Sequence, residues 1–203
     1  MAADSNYREA LIAYVREQAR PVDKFSHQPR LYALATQIGK GSAYDDDVVF
    51  AAAWIHDLGV FVGHRPEDPE QLARWDNTAY AMGRAPAVLA LLGFPKDKIA
   101  AVVEAVRTHQ ASGVPATLEG ELLRDADILE QLGAIGILRV VSKVGRDTRY
   151  TTFAAAVETL QRTLSELPRQ IRLEATRALA ERKIRMLQMF LESAKSESQG
   201  MLG

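Results

Sequence analysis

The chain has 203 residues, of which 47% are hydrophobic and 25% charged, with 25 Lys and Arg against 26 Asp and Glu. That composition excludes an intrinsically disordered chain, and the length suffices for one domain with a substantial core. A net charge of −1 gives no bulk attraction to nucleic acid or an anionic membrane, and the absence of Cys excludes disulfides, iron–sulfur clusters and thiol catalysis.

The stretch Met1 to Asn6 lacks the basic region and apolar core of a signal peptide. No apolar run approaches the ~20 residues of a membrane span, so a cytoplasmic protein is expected. Ser5 reads as the N-cap of a first helix carrying Tyr7, Leu11, Tyr14 and Val15 at helical spacing, with Pro21 as its stop. Ser26 reads as the cap of a second helix holding His27, Arg30, Leu31, Leu34 and Ile38. Pro29 is tolerated there because the first turn needs no N–H.

Asp45 opens a third helix, with Asp46 and Asp47 adding favourable charge at its N-terminus. Its run Val48–Ile55 is apolar on every side, which predicts a core helix. Residues 60–69 read as a proline-punctuated loop, followed by helices over 70–83, 86–92 and 97–109. A second loop spans 110–115, and Leu118–Gln131 reads as a helix carrying Asp125 and Asp127. The next helix starts at Gly133 and runs to about Val144. Arg139, Lys143, Arg146 and Arg149 read as a solvated basic stretch. Two last helices are expected over 153–167 and from Pro168 to near Ser196. No run alternates with period two. The expectation is one all-α domain over 1–195 and a flexible tail over 196–203.

His56-Asp57 closes the apolar third helix. A core helix has little reason to end in an imidazole beside a carboxylate, because a buried Asp must be paired, hydrogen-bonded or metal-bound. His27 lies upstream, His109 downstream, and the Asp125/Asp127 pair follows. Neighbouring helical residues diverge by ~100°, yet an ion beside the helix end can be reached by both His56 and Asp57. His27 would enter from the second helix and a carboxylate from the helix over 118–131. Helical periodicity does not separate Asp125 from Asp127. Two imidazoles and two carboxylates with no sulfur suit Mn²⁺, Fe²⁺, Ni²⁺, Co²⁺, Zn²⁺ or Mg²⁺.

The series His27, His56-Asp57, Asp127 resembles the HD-domain superfamily of metal-dependent phosphohydrolases, and the surrounding residues extend the likeness. Ser-His-x-x-Arg-Leu-Tyr-Ala-Leu-Ala from Ser26 is similar to the family's first metal-binding helix. Ala-Ala-Trp-Ile-His-Asp-Leu-Gly from Ala52 is similar to its central helix. Thr108-His109, Leu118-Glu119-Gly120, Asp125-Ala126-Asp127-Ile128-Leu129 and Gly133-Ala134-Ile135-Gly136-Ile137-Leu138-Arg139 resemble a branch of small bacterial HD hydrolases.

The resemblance implies an all-α, single compact multi-helix HD-domain fold, with His27, His56, Asp57 and Asp127 as metal ligands; the family's ligand is the second carboxylate of Asp125-Ala126-Asp127. It places His109 near a substrate phosphate. Arg30, one turn on from His27, could hold a phosphate oxygen. The implied activity is cleavage of a phosphoester or phosphoanhydride of a small molecule, a nucleotide above all, by metal-activated water. One divalent ion is implied, with room for a second metal.

The departures are specific. Leu58-Gly59-Val60-Phe61 holds no acid where some members carry one, so His64, Glu67 and Asp68 become acid–base candidates. Thr159-Leu160 and Thr163 replace the branch's usual His-Phe and Lys. The alternatives are an HD-fold di-iron oxygenase drawing on His64 and His109, and a non-catalytic ligand sensor. A small phosphorylated substrate is the expected partner, with neither membrane nor nucleic acid, and the last helix is compatible with a homodimer.

Overall fold

The computed structural model describes residues 4–146, 150–199 and 201. Met1 to Ala3 and Arg149, which figure in the sequence reading, lie outside them. Among the described residues ten α-helices account for the architecture, and there is no strand, only an isolated bridge between Val62 and Arg65. No described helix is long and apolar enough to cross a membrane. The chain divides into two units, one ending at Arg124 and one starting at Asp125.

The first unit is built on α3 (Asp46–Ile55). The Asp45 carboxylate accepts the backbone N–H groups of Asp47 (3.0 Å) and Val48 (3.4 Å), capping the helix as its sequence predicts. All eight residues Val48–Ile55 are buried, and each large apolar side chain so removed from water contributes about 1.5–3 kcal/mol. Helices α1 (Asp4–Gln18), α2 (His27–Ile38), α5 (Asn77–Leu91) and α6 (Ile99–Arg107) pack against it.

Several boundaries differ from the sequence reading for local reasons. Helix α1 already begins at Asp4, so Ser5 lies within it. Ser26 does not cap α2, because the 3-10 turn Val22–Ser26 runs straight into the helix and the His27 N–H bonds Lys24 O. The stretch expected to be helical over 70–83 breaks at Trp75. There Asp68 caps the short α4 (Pro69–Ala73), and Asp76 caps α5 by accepting the Ala79 N–H at 2.9 Å. Helix α5 then runs through Pro86 instead of restarting there. Burial of Ala81, Ala85, Val88 and Leu89 on one face offsets the hydrogen bond that proline cannot donate.

The start of α3 carries a network beyond simple capping. Arg8 of α1 donates to Asp46 (2.8 Å) and Asp47 (2.6 Å), Tyr32 of α2 to Asp46 (2.8 Å), and Lys98 to Asp45 (3.0 Å) and Asp47 (2.8 Å). Burial opposes ionisation of Asp47, but hydrogen bonds from Lys98, Tyr7 and Arg8 outweigh it and hold the carboxyl well below its ordinary range. Burial and the hydrogen bond to Asp47 push the Tyr7 hydroxyl up to about 12.

The boundary between the units falls within α7 (Leu118–Gln131), which has the predicted limits. In the second unit α8 (Gly133–Val141), α9 (Phe153–Glu166) and α10 (Glu174–Glu197) pack on one another. Gly133 sits at φ +70°, and a Cβ there would meet Lys183 at 3.0–3.1 Å, so glycine allows the close approach of α8 to α10. Helix α8 ends short of Val144.

Pro168 starts only a 3-10 turn, Leu167–Gln170. Helix α10 begins at Glu174, after the chain has extended at Ile171, and it reaches Glu197, inside the segment expected to be a tail. Two members of the basic stretch are not simply solvated. Arg139 lies 3.6 Å from the buried Glu130, and Lys143 stands over the Tyr150 ring.

Candidate metal centre

Helix α3 stops at Ile55. His56 still has helical backbone angles, whereas Asp57 turns out of the helix at φ −97°, ψ 12°. That turn brings the Asp57 carboxylate alongside the imidazole preceding it, with Oδ1 3.5 Å from His56 Nε2. Asp57 Oδ2 lies 3.8 Å from Nε2 of His27, the first residue of α2. One ligand atom from each of His27, His56 and Asp57 falls within 4.8 Å of the others. Two atoms bound to one cation at 2.0–2.2 Å lie no more than about 4.4 Å apart, so the three donors are already gathered to nearly the spacing of an occupied site. Both imidazoles are buried, and Asp57 keeps 19% of its side chain exposed, so the cluster has one open side.

The His56 tautomer follows from a carbonyl. Nδ1 lies 3.0 Å from Ala53 O, which only accepts, so Nδ1 carries the proton and Nε2 the lone pair. Metal-binding histidines are commonly held in this way by their second nitrogen. Two imidazoles and one carboxylate make a mixed N/O set suited to a divalent cation of the first transition row.

The turn that presents Asp57 is held from behind. Leu58 and Phe61 are fully buried. The Trp75 indole donates to Gly59 O at 2.8 Å, and a Cβ on Gly59 would lie 2.6–2.7 Å from the Asn77 backbone. Glycine is therefore required where α5 begins against the His-Asp turn.

The remaining candidates have distinct surroundings. His109 is buried just beyond α6, its ring centroid 5.0 Å from that of His56. Its Nδ1 lies 2.6 Å from Val106 O, so this ring too carries its lone pair on Nε2. Arg30 is half-buried on α2, three residues after His27. His64 has both nitrogens engaged, Nδ1 with Tyr80 Oη and Nε2 with Gln18 Oε1, each at 2.9 Å. Burial, with Arg84 nearby, pushes its pKa down.

Asp127 and Asp125 belong to the second unit. Asp127 is half-buried, and its carboxylate accepts from Gln131 Nε2 at 3.2 Å. Asp125 is fully buried, and its carboxylate takes the backbone N–H groups of Arg172 (3.2 Å) and Leu173 (2.9 Å) ahead of α10. The sequence could not separate these neighbours; the contacts give Asp125 a structural task. Sequence reasoning also missed the Gln18–His64–Tyr80 bridge and the Trp75 bond, since neither follows a local pattern.

No protein-family model and no curated protein matches the chain. Solved structures do. YpgQ of Bacillus subtilis aligns with a TM-score of 0.74 at 21% identity over 96% of both chains, and its complex with ADP with a TM-score of 0.72 at 21% identity over 96% of both. A predicted HD superfamily hydrolase from an uncultured Thermotogales bacterium aligns with a TM-score of 0.63 at 25% identity over 93% of this chain and 91% of that one. An HD-superfamily hydrolase of Bacillus thuringiensis aligns with a TM-score of 0.68 at 20% identity over 96% of this chain and 97% of that one. The chain adopts the HD-domain fold, and its cluster of two histidines and an aspartate lies where the end of α3 meets the start of α2.

Proposed function

We propose that this protein is a metal-dependent phosphohydrolase that cleaves a phosphoester or phosphoanhydride of a small molecule, with nucleotides as the substrate class. The observation that carries the reading is the convergence of His27, His56 and Asp57 within 4.8 Å in an HD-domain fold. The similar YpgQ was solved in complex with ADP, which supports the choice of nucleotides. Asp127 is the proposed fourth ligand. The donor set suits Mn²⁺, Fe²⁺, Ni²⁺, Co²⁺, Zn²⁺ or Mg²⁺, with manganese the first to try.

A bound divalent cation lowers the pKa of water and neutralises phosphate oxygens as charge develops. The protein's own part is orientation and charge. His27, His56, Asp57 and Asp127 hold the cation, while Arg30 offers a planar fork to phosphate oxygens. His109 directs Nε2 toward the reacting group, its ring fixed through Nδ1. His64 is assigned to holding the loop after the His-Asp turn, because Tyr80 and Gln18 occupy both of its nitrogens. The same engagement counts against a di-iron oxygenase, which would need His64 as a ligand.

The test is release of phosphate or pyrophosphate from a nucleotide panel with each metal in turn. Metal-dependent release that disappears in His56→Ala and Asp57→Ala is expected. Nucleotide binding with no turnover under any metal would replace the proposal with a ligand sensor.

A further inference from the structure

We propose that Arg124 is a positioning residue for His109, holding through the turn that follows it the backbone that fixes the imidazole. The inference rests on the role given to His109 above and deepens it.

Arg124 lies on α7 and is 4% exposed. Its guanidinium donates from both Nε (3.1 Å) and Nη2 to a single acceptor, the carbonyl of Ala111, two residues after His109. Hydrogen bonds from a charged donor are roughly twice as strong as neutral ones, and only arginine presents a rigid fork. The turn beneath that carbonyl is tight. Gly113 N–H donates to Gln110 O at 2.7 Å, and the place of a Cβ on Gly113 is filled by the carbonyl of Thr108.

The turn is tied at its other end as well. Gln110 Nε2 donates to the Thr78 hydroxyl at 2.8 Å, and the Thr108 hydroxyl donates to Glu104 O at 3.0 Å. His109 stands between these fixed points, with Nδ1 2.6 Å from Val106 O. That bond sets the tautomer, and it survives only while the backbone at 108–111 stays back against α6. Arg124 fastens the far side of the turn. Releasing it frees Ala111, loosens the Nδ1 bond and lets the proton distribute over both nitrogens. A purely structural arginine would lower stability and leave the His109 tautomer unchanged.

The experiment uses the full chain, labelled with ¹⁵N in histidine, at about pH 8, above the ordinary imidazole range. Wild type, Arg124→Lys and Arg124→Met are compared by long-range ¹H–¹⁵N spectra, kcat and KM for phosphate release, and Mn²⁺ affinity. Wild-type His109 is expected as the pure Nδ1–H tautomer. In the variants its signals move toward a mixture while those of His64 stay in place. The value of kcat falls about tenfold or more, with KM and Mn²⁺ affinity within about twofold of wild type. Should Arg124→Met fail to fold, Arg124→Lys decides alone, since it keeps the charge and loses the fork. A folded variant that retains the wild-type His109 signals overturns the proposal. A tautomer shift in a protein that releases no phosphate would instead leave the positioning intact and remove the phosphohydrolase reading.

Discussion

The two ends of α3 are both rich in ionisable groups, and they differ in what faces them. At the N-terminal end three aspartates meet cations the chain itself provides, Arg8 and Lys98, together with the hydroxyls of Tyr7 and Tyr32. At the C-terminal end two imidazoles and a carboxylate bring lone-pair atoms to one place. The first arrangement gives each aspartate a cation from the chain itself and joins α1, α2 and α3. The second is the donor arrangement a cation completes. A charged cluster is thus read from the kind of partners it gathers more than from its acidity, and Asp45-Asp46-Asp47 is structural for that reason.

The largest expected effect lies at the C-terminal end. His27→Ala, His56→Ala and Asp57→Ala should each weaken Mn²⁺ binding by well over tenfold in calorimetric titration and abolish metal-dependent phosphate release. Mn²⁺ at about 100 times its Kd should stabilise the wild type by about 2.7 kcal/mol and leave Asp57→Ala unshifted in thermal melts. Wild-type turnover in any one of these variants would break the contrast between the two ends.

Gly59→Ala comes next. Its Cβ would press on the Asn77 backbone, which cannot yield as a side-chain tip can, so a loss of about 1–3 kcal/mol is expected in urea unfolding. Because the strain falls on the turn presenting Asp57, Mn²⁺ affinity should drop in the same variant.

At the N-terminal end Asp47→Asn should cost about 1 kcal/mol, a figure reduced for solvent screening at a partly exposed position, and leave Mn²⁺ affinity unchanged. The Asp47 carboxyl is held below its ordinary value of 3.8 in the folded state. Its contribution is therefore complete above that pH and is lost as acid protonates it at lower pH. Acid unfolding curves of wild type and Asp47→Asn should converge below this value.

The smallest effect belongs to His64. Burial and Arg84 lower its pKa, so the folded state prefers the neutral ring between Tyr80 and Gln18. That preference stabilises the protein fully above about pH 6.5 and fades as the pH falls through the depressed value. His64→Gln should flatten this dependence by a few tenths of a kcal/mol. Loss of Mn²⁺ binding in His64→Gln would mean that the loop after the His-Asp pair matters more to the site than its hydrogen bonds suggest.

Much of this was legible in the sequence because the signals are local. The all-apolar run Val48–Ile55 announced a core helix, Asp45 its cap, and Leu118–Gln131 a helix with the observed limits. Pro86 misled because a proline penalty is local while the burial that outweighs it is not. Ser26 misled because a 3-10 turn in front of α2 already supplies the backbone bond a cap would have made.

The sequence by itself determined the helical class, the buried position of His56 and the set of residue types able to bind a cation, since these follow from periodicity and the cost of burying polar groups. Tertiary structure alone decided that Asp57 reaches His27 and that Asp125 serves the start of α10. These outcomes depend on an imidazole, N–H groups and carboxylates brought together from distant parts of the chain, and spacing along a single helix carries no record of them.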